Sequence, residues 1–146
     1  MLIYLDMCCL KRPFDDQSQP RIRLEAEAVL GLLGAESADV QFVRSRALLL
    51  ENSRNPVATR AARVAQWLQG SVLAELDPQA LEKRTAELMS LGIRNFDALH
   101  VASAECAGAQ IMGSCDDQLL ATATRNRDRI KARVVGVVEL AREVLR

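Results

Sequence analysis

Short apolar runs alternate with amphipathic stretches along the chain. Leu2–Leu5 is an apolar run of the length of a buried strand. The pattern predicts further strands at residues 40–43, 72–76, 110–115 and 133–138. The stretches between them repeat apolar residues with helical period, so the chain is expected to form an α/β fold with a central, mostly parallel sheet.

The predicted helices have recognisable start and stop signals. Pro13, Asp15, Asp16 and Pro20 mark a loop before the first of them. The predicted helices cover residues 21–33, 47–55, 57–68, 78–92, 95–106, 116–124 and the stretch after 138. Asn95 is expected to cap the helix that carries Asp97 in its first turn.

The composition is that of a folded protein with an aliphatic core. The chain has 146 residues, of which 49% are hydrophobic and 3% aromatic. This length fits one domain, residues 1–146, and there is no repeat or linker. The 19 basic and 19 acidic residues balance, so net charge gives no general attraction to nucleic acid.

The chain is expected to work in the cytoplasm. The first apolar run is interrupted by the charged Asp6 too early for a secretory signal, and no apolar run reaches membrane-spanning length. The four cysteines lack C-x-x-C spacing, and the adjacent pair Cys8 and Cys9 is a poor disulfide arrangement. A reducing compartment fits this usage.

Four acidic residues stand at strand ends or on helices that face the predicted core. Asp6 and Asp116 follow predicted strands, Asp97 opens a helix, and Glu51 lies on another. A carboxylate beside a buried strand end is costly unless it is paired or binds a cation. Taken singly, each acid also fits an ordinary helix-end or surface role. If the fold brings the four acids together, they form a site for a divalent metal.

Four segments resemble the PIN-domain nucleases, and among them the VapC-like toxin ribonucleases. They are Ile3–Asp6, Leu49–Glu51, Asn95–Ala102 and Ser114–Asp117, and Asp97-Ala98-Leu99-His100 is the most specific. The resemblance extends over essentially the whole chain. It implies a PIN-like three-layer α/β/α sandwich and a metal-dependent endoribonuclease, the toxin of a toxin-antitoxin pair.

The resemblance also assigns a site and partners. Asp6, Glu51, Asp97 and Asp116 are the implied catalytic residues and ligands of Mg²⁺ or Mn²⁺, at which water is activated to hydrolyse RNA phosphodiester bonds. Such toxins are typically homodimers held inactive by an antitoxin protein, so both partners are expected here. Asp117 is a secondary candidate ligand, although adjacent residues usually point apart.

Two positions depart from the family pattern. Met7 stands where a Thr or Ser commonly follows the first Asp, and Ser114 replaces the usual Thr before the fourth acid. Ser114 retains a hydroxyl, whereas Met7 cannot supply a hydrogen bond near the metal. A PIN-like protein- or RNA-binding module with little or no catalysis therefore stays open as an alternative. A nuclease that acts on DNA is another, because acids that bind metal do not select the sugar.

Several other residues have two interpretations. His100 fits a metal ligand or general base, but a hydrogen-bonded residue in helix packing is preferred, since metal-bound water needs no imidazole. The cysteines near Asp6 and Asp116 fit buried thiols better than a mixed cysteine and carboxylate zinc site. Lys11, Arg12 and Arg94 are candidate RNA contacts or plain surface charges. Trp67 is expected to pack in the core rather than bind a partner.

Overall fold

A computed structural model describes residues 1–146 as a three-layer α/β/α sandwich. Five parallel strands form the sheet in the order β3-β2-β1-β4-β5. The strands are β1 (Leu2–Leu5), β2 (Gln41–Arg44), β3 (Val72–Leu73), β4 (Ile111–Ser114) and β5 (Arg133–Gly136). The expected α/β class and central parallel sheet are confirmed.

Eight α-helices flank the sheet. They are α1 (Met7–Lys11), α2 (Pro20–Gly34), α3 (Arg46–Ser53), α4 (Ala58–Gln69), α5 (Pro78–Ser90), α6 (Asn95–Cys106), α7 (Asp117–Arg125) and α8 (Val137–Val144). Helix α2 packs against α8, and α5 packs against α6. None of these helices combines the length and the apolar character needed to cross a lipid bilayer.

Strand β1 lies in the middle of the sheet and sets the position of the candidate site. Ile3 and Tyr4 are fully buried, and β1 pairs with β2 on one side and β4 on the other. Leu5 is in register with Gly113 of β4, so the carboxyl ends of the two strands lie side by side. Residues just beyond them therefore meet at the edge where open α/β sheets bind ligands.

The structure differs from the sequence-based expectation in local detail. Helix α1 lies at residues 7–11, where no element was predicted, because a helix of only five residues is shorter than the window in which periodicity is recognised. The strand predicted at 72–76 is limited to two exposed residues, because β3 is an edge strand with a single neighbour. The expected cap by Asn95 is wrong: Asn95 is the first residue of α6, and Arg94 precedes it without a side-chain cap.

Candidate metal site and its supporting residues

Asp6 and Asp116 lie beyond adjacent strands and cap the helices that follow. One carboxylate oxygen of Asp6 accepts a hydrogen bond from the backbone N–H of Cys9 at 3.2 Å. Asp116 Oδ1 accepts from the N–H groups of Gln118 and Leu119 at 2.9 and 3.2 Å. Helix N-termini favour such carboxylates. Each cap fixes one oxygen of its carboxylate and leaves the second oxygen free of these bonds.

Asp6 is a buried acid, with only 4% of its surface exposed. Burial raises the pKa of this carboxyl well above its usual range. The Ser114 hydroxyl and His100 act in the opposite direction and lower the pKa of Asp6. The negative charge of Asp6 is therefore poorly compensated by the protein itself.

Asp97 lies in the first turn of α6, half-buried, and close enough to Asp116 to be affected by its charge. Burial raises the pKa of the Asp97 carboxyl, and the negative charges of Asp116 and Glu51 raise it further. His100 and Arg94 lower this pKa, each by less than Asp116 raises it. The like charges of Asp97, Asp116 and Glu51 therefore share one region of the structure.

Glu51 is held by a chain of hydrogen bonds that reaches through the core. Its Oε1 lies 3.0 Å from His100 Nε2. His100 Nδ1 lies 2.6 Å from the hydroxyl of Tyr4, and that hydroxyl lies 2.7 Å from Ser45 Oγ. Ser45 caps α3, the helix that carries Glu51, by accepting from the N–H of Leu48 at 3.1 Å. The chain thus joins β1, α3 and α6.

One arrangement of protons satisfies this whole chain. Burial raises the pKa of Tyr4 far above its usual value, so its phenol stays protonated. With the Ser45 hydroxyl donating to Tyr4 and Tyr4 donating to His100 Nδ1, the imidazole carries its proton on Nε2 and donates it to Glu51. His100 is 2% exposed, and its hydrogen-bonded, packed environment agrees with the preferred interpretation from sequence.

The four predicted acids share this end of the sheet but do not form a closed ligand cage. Among His, Cys, Asp and Glu side chains, the one group of three whose ligand atoms all lie within 4.8 Å of one another is Cys8, Cys9 and Cys115. Mg²⁺ usually keeps several waters and binds through one or two carboxylates, so hard oxygen donors spaced more widely still fit it. The negative charges of Asp97 and Asp116 repel each other, and a bound cation would relieve this repulsion.

Asp6 receives a side-chain hydrogen bond from Cys8, whereas the family pattern led us to expect such a bond from the residue at position 7. Met7 is 1% exposed and belongs to the hydrophobic core. The Cys8 thiol instead donates to Asp6 Oδ1 at 2.7 Å. Ser114 Oγ accepts from the backbone N–H of Asp116 at 3.0 Å and lies 3.7 Å from Cys8 Sγ, between the two strand ends. The cysteine at position 8 was the signal in the sequence for this hydrogen bond, and it was overlooked because the family pattern places the hydroxyl at position 7.

Asp117 is directed away from the candidate site. Its carboxylate forms a two-point ion pair with the guanidinium of Arg21 on α2, at 2.6 and 2.8 Å. The pair is exposed, and Arg21 lowers the pKa of Asp117. Of the two adjacent acids, Asp116 is the one whose charge raises the pKa of Asp97.

The three candidate RNA-contact residues differ in their surroundings. Arg94 is exposed, and its charge is felt by Asp97. Lys11 ends α1 and is half-buried, whereas Arg12 is engaged by Asp15 at 3.2 Å and Glu25 at 3.4 Å. Arg94 is therefore the one with a free charge near the acids.

A further cation near the acids was missed from sequence. The guanidinium carbon of exposed Arg54 lies 6.0 Å from the ring centre of Phe96, the residue before Asp97.

Trp67 is partly buried and stacks on Phe14 with ring centres 5.6 Å apart, in agreement with a packing role. A surface cavity of about 780 Å³ lies elsewhere, at β5 and the end of α7, and none of the four acids lines it.

Comparison with known proteins supports the fold. No protein-family model and no curated protein sequence matches the chain. Among solved structures, the chain is similar to PAE2754 from Pyrobaculum aerophilum, with a TM-score of 0.57 and 16% sequence identity. The match covers 99% of this chain and 90% of that chain. At this identity the likeness concerns the fold alone.

Proposed function

We propose that the chain is a Mg²⁺- or Mn²⁺-dependent endoribonuclease of the PIN-domain type, resembling the VapC-like toxins. The observation that carries the proposal is the placement of Asp6 and Asp116 beyond the adjacent central strands β1 and β4, with Asp97 within electrostatic reach of Asp116. The resemblance of the segments that contain these acids supplies the reaction class. The match of fold class is consistent with it.

The residues of the candidate site would have three roles: binding the ion, orienting its ligands and attracting the RNA. Asp6, Asp97, Asp116 and Glu51 would hold the ion, which supplies an activated water and neutralises charge on the attacked phosphate. His100 and Tyr4 would orient the Glu51 carboxylate, and Cys8 that of Asp6. Arg94 and Arg54 would attract the phosphate backbone to an otherwise negative site.

The proposal includes partners that follow from the resemblance alone. A homodimer and an antitoxin that covers the acidic site are expected of VapC-like toxins. Exposed leucines at Leu49 and Leu50, on the helix that carries Glu51, offer apolar surface for either contact. Size-exclusion chromatography with light scattering tests the dimer.

A catalytically weak PIN-like binding module is the second candidate. It is favoured by the spacing of the carboxylates, since no three acidic side chains offer ligand atoms within 4.8 Å of one another. Such a module would bind RNA or protein without cleaving RNA. A DNA-directed nuclease is separated from both by assaying single-stranded RNA and DNA in parallel.

The deciding experiment is cleavage of a mixed RNA pool in Mn²⁺ by the wild type, Asp97→Asn and Asp117→Asn, purified identically and free of partners. Cleavage by the wild type and Asp117→Asn, lost in Asp97→Asn and in EDTA, is the expected result. Equal cleavage by all three proteins indicates a contaminant and contradicts the proposal. RNA binding without cleavage favours the second candidate.

A further inference from the structure

Three of the four cysteines gather at the carboxyl ends of β1 and β4, next to the acidic residues. Cys8 and Cys9 lie in the first turn of α1, and Cys115 follows β4 directly. Because Leu5 and Gly113 are in register, the side chains just beyond them converge. Their Sγ atoms all lie within 4.8 Å of one another, and those of Cys9 and Cys115 are 3.6 Å apart.

These sulfur positions match the geometry of a tetrahedral zinc site. Zn–S bonds of about 2.3 Å at tetrahedral angles place two sulfur atoms about 3.8 Å apart. The distance between Cys9 and Cys115 already has this value within 0.2 Å or so. Cys8 Sγ lies within 4.8 Å of the other two sulfur atoms, so it exceeds this spacing by no more than about 1 Å. All four cysteines are free thiols, so no disulfide competes for them in this structure.

The surroundings suit a partly open site of three sulfur ligands. Cys9 and Cys115 are buried, whereas Cys8 is half-buried and leaves a path for an ion from solvent. Three thiolates around a divalent ion leave one negative charge in excess, and the positively charged Arg12 lies beside Cys115. Of the three sulfur atoms, only that of Cys8 is hydrogen-bonded to Asp6, so the fourth ligand position is left for water.

We propose that Cys8, Cys9 and Cys115 form a binding site for a thiophilic divalent metal, Zn²⁺, that is distinct from the site of the four acids. Soft thiolate ligands select Zn²⁺ over Mg²⁺ and Mn²⁺, which prefer oxygen. Each thiol releases its proton to solvent as the ion binds, so binding is stronger at higher pH.

The new site is coupled to the acidic one through a single contact. The Cys8 thiol is the hydrogen-bond donor to Asp6 Oδ1, and a metal-bound thiolate no longer has that proton to donate. On the basis of the proposed function, Zn²⁺ at the cysteines lowers the affinity of the acidic site for Mn²⁺ and slows cleavage.

Titration of the reduced, metal-free protein with Co²⁺ tests the site, because Co²⁺ replaces Zn²⁺ and reports its ligands by absorption. One Co²⁺ per chain with strong thiolate charge-transfer bands and the intense visible bands of tetrahedral Co²⁺ is expected, and Zn²⁺ should displace it. Only the weak spectrum of six-coordinate Co²⁺, or no Co²⁺ binding by the fully reduced protein, overturns the proposal.

Single substitutions identify the ligands. Cys106→Ser is the matched control, because Cys106 is exposed at the end of α6, and it should leave the spectrum unchanged. Cys115→Ala should abolish the thiolate bands, with circular dichroism to verify folding. Cys8→Ser changes a half-buried residue that tolerates replacement, and it should weaken Co²⁺ binding by about 10-fold or more. An unchanged affinity in Cys8→Ser overturns the proposed ligand set.

Asp97→Asn separates this site from the proposed nuclease centre. It removes a candidate ligand of the acidic site and leaves the cysteines in place, so the thiolate spectrum should persist. If the protein proves to lack nuclease activity, the Co²⁺ spectrum still decides the cysteine site. Loss of the thiolate bands in Asp97→Asn shows that the two sites are one, and overturns the claim that they are distinct.

Discussion

The hydroxyl of Tyr4 on β1 lies 2.6 Å from Nδ1 of His100 on α6, and this contact connects the core to the candidate site. The same imidazole reaches Glu51 through its other nitrogen at 3.0 Å. Because Tyr4 and His100 are both buried, the hydrogen bond between them does not compete with bulk water. A residue in the central strand thus determines the position of an acid at the surface of α3.

Tyr4→Phe should destabilise the fold by about 1–3 kcal/mol, because it leaves His100 Nδ1 without a donor and the Ser45 hydroxyl without an acceptor. Urea unfolding followed by circular dichroism measures the change. Ser53→Ala, which removes an exposed hydroxyl, is the control and should have little effect. A neutral Tyr4→Phe would show that the hydrogen-bond chain contributes nothing to stability.

His100→Asn should weaken the metal dependence of cleavage, raising the Mn²⁺ concentration for half-maximal rate by about 10-fold. Asn is too short to reach Glu51, whereas His100→Gln retains an N–H near the position of Nε2 and should recover part of the affinity. At saturating Mn²⁺ both variants should approach the wild-type rate, as expected of a positioning residue. A low rate at saturating Mn²⁺ with unchanged metal affinity would instead make His100 an acid or base in the reaction.

Met7→Thr should not improve activity, and it should cost about 2 kcal/mol or more of stability. Met7 is buried in the core, so Thr would leave a cavity and place a hydroxyl among apolar side chains. Cys8→Ala, which removes the donor to Asp6, should lower Mn²⁺ affinity instead. The urea midpoints and the Mn²⁺-dependent cleavage rates of both variants test these two expectations. An increase of cleavage activity in Met7→Thr would refute the first.

The variants Asp116→Asn and Asp117→Asn should differ sharply in their rate of RNA cleavage, although the two residues are adjacent. Asparagine retains the helix cap at position 116 but removes the charge, so cleavage should fall by about 100-fold or more. Asp117→Asn only weakens an exposed ion pair with Arg21, and activity should be unchanged. Single-turnover cleavage under identical conditions makes the comparison. Equal losses of cleavage activity in the two variants would mean that both acids take part in the site.

Without metal, the protein should lose stability as pH rises through the raised pKa values of Asp6 and Asp97. The folded state holds these protons more tightly than the unfolded chain does, so their contribution is complete below the unfolded-state pKa and disappears above the folded-state pKa. Mg²⁺ or Mn²⁺ should restore stability, because it binds the charged form.

Thermal melts over a pH series, in EDTA and in Mg²⁺, measure this dependence. Asp6→Asn is the diagnostic variant, since asparagine still caps α1 but carries no titrating group. It should flatten the pH dependence in EDTA and reduce the gain from Mg²⁺. A wild-type profile that is the same in EDTA and Mg²⁺ would argue against a cation near Asp6.

The order of strands and helices followed from the sequence because it depends on local patterns. The buried run Leu2–Leu5 and the helical period of α2 are properties of neighbouring residues, and they predicted the elements within a few positions. The pattern also indicated that Asp6 and Asp116 end strands, because each follows an apolar run. A strand end can be recognised locally, whereas the neighbour of that strand cannot.

Pairings across the chain depended on tertiary structure. The register of Leu5 with Gly113 gathers Cys8, Cys9 and Cys115, whose spacing in sequence resembles no metal motif. The contact between Tyr4 and His100 spans 96 positions, and no local rule selects it. Both depend on which strands are adjacent and how helices pack on them, and that is decided by burial of the whole apolar core.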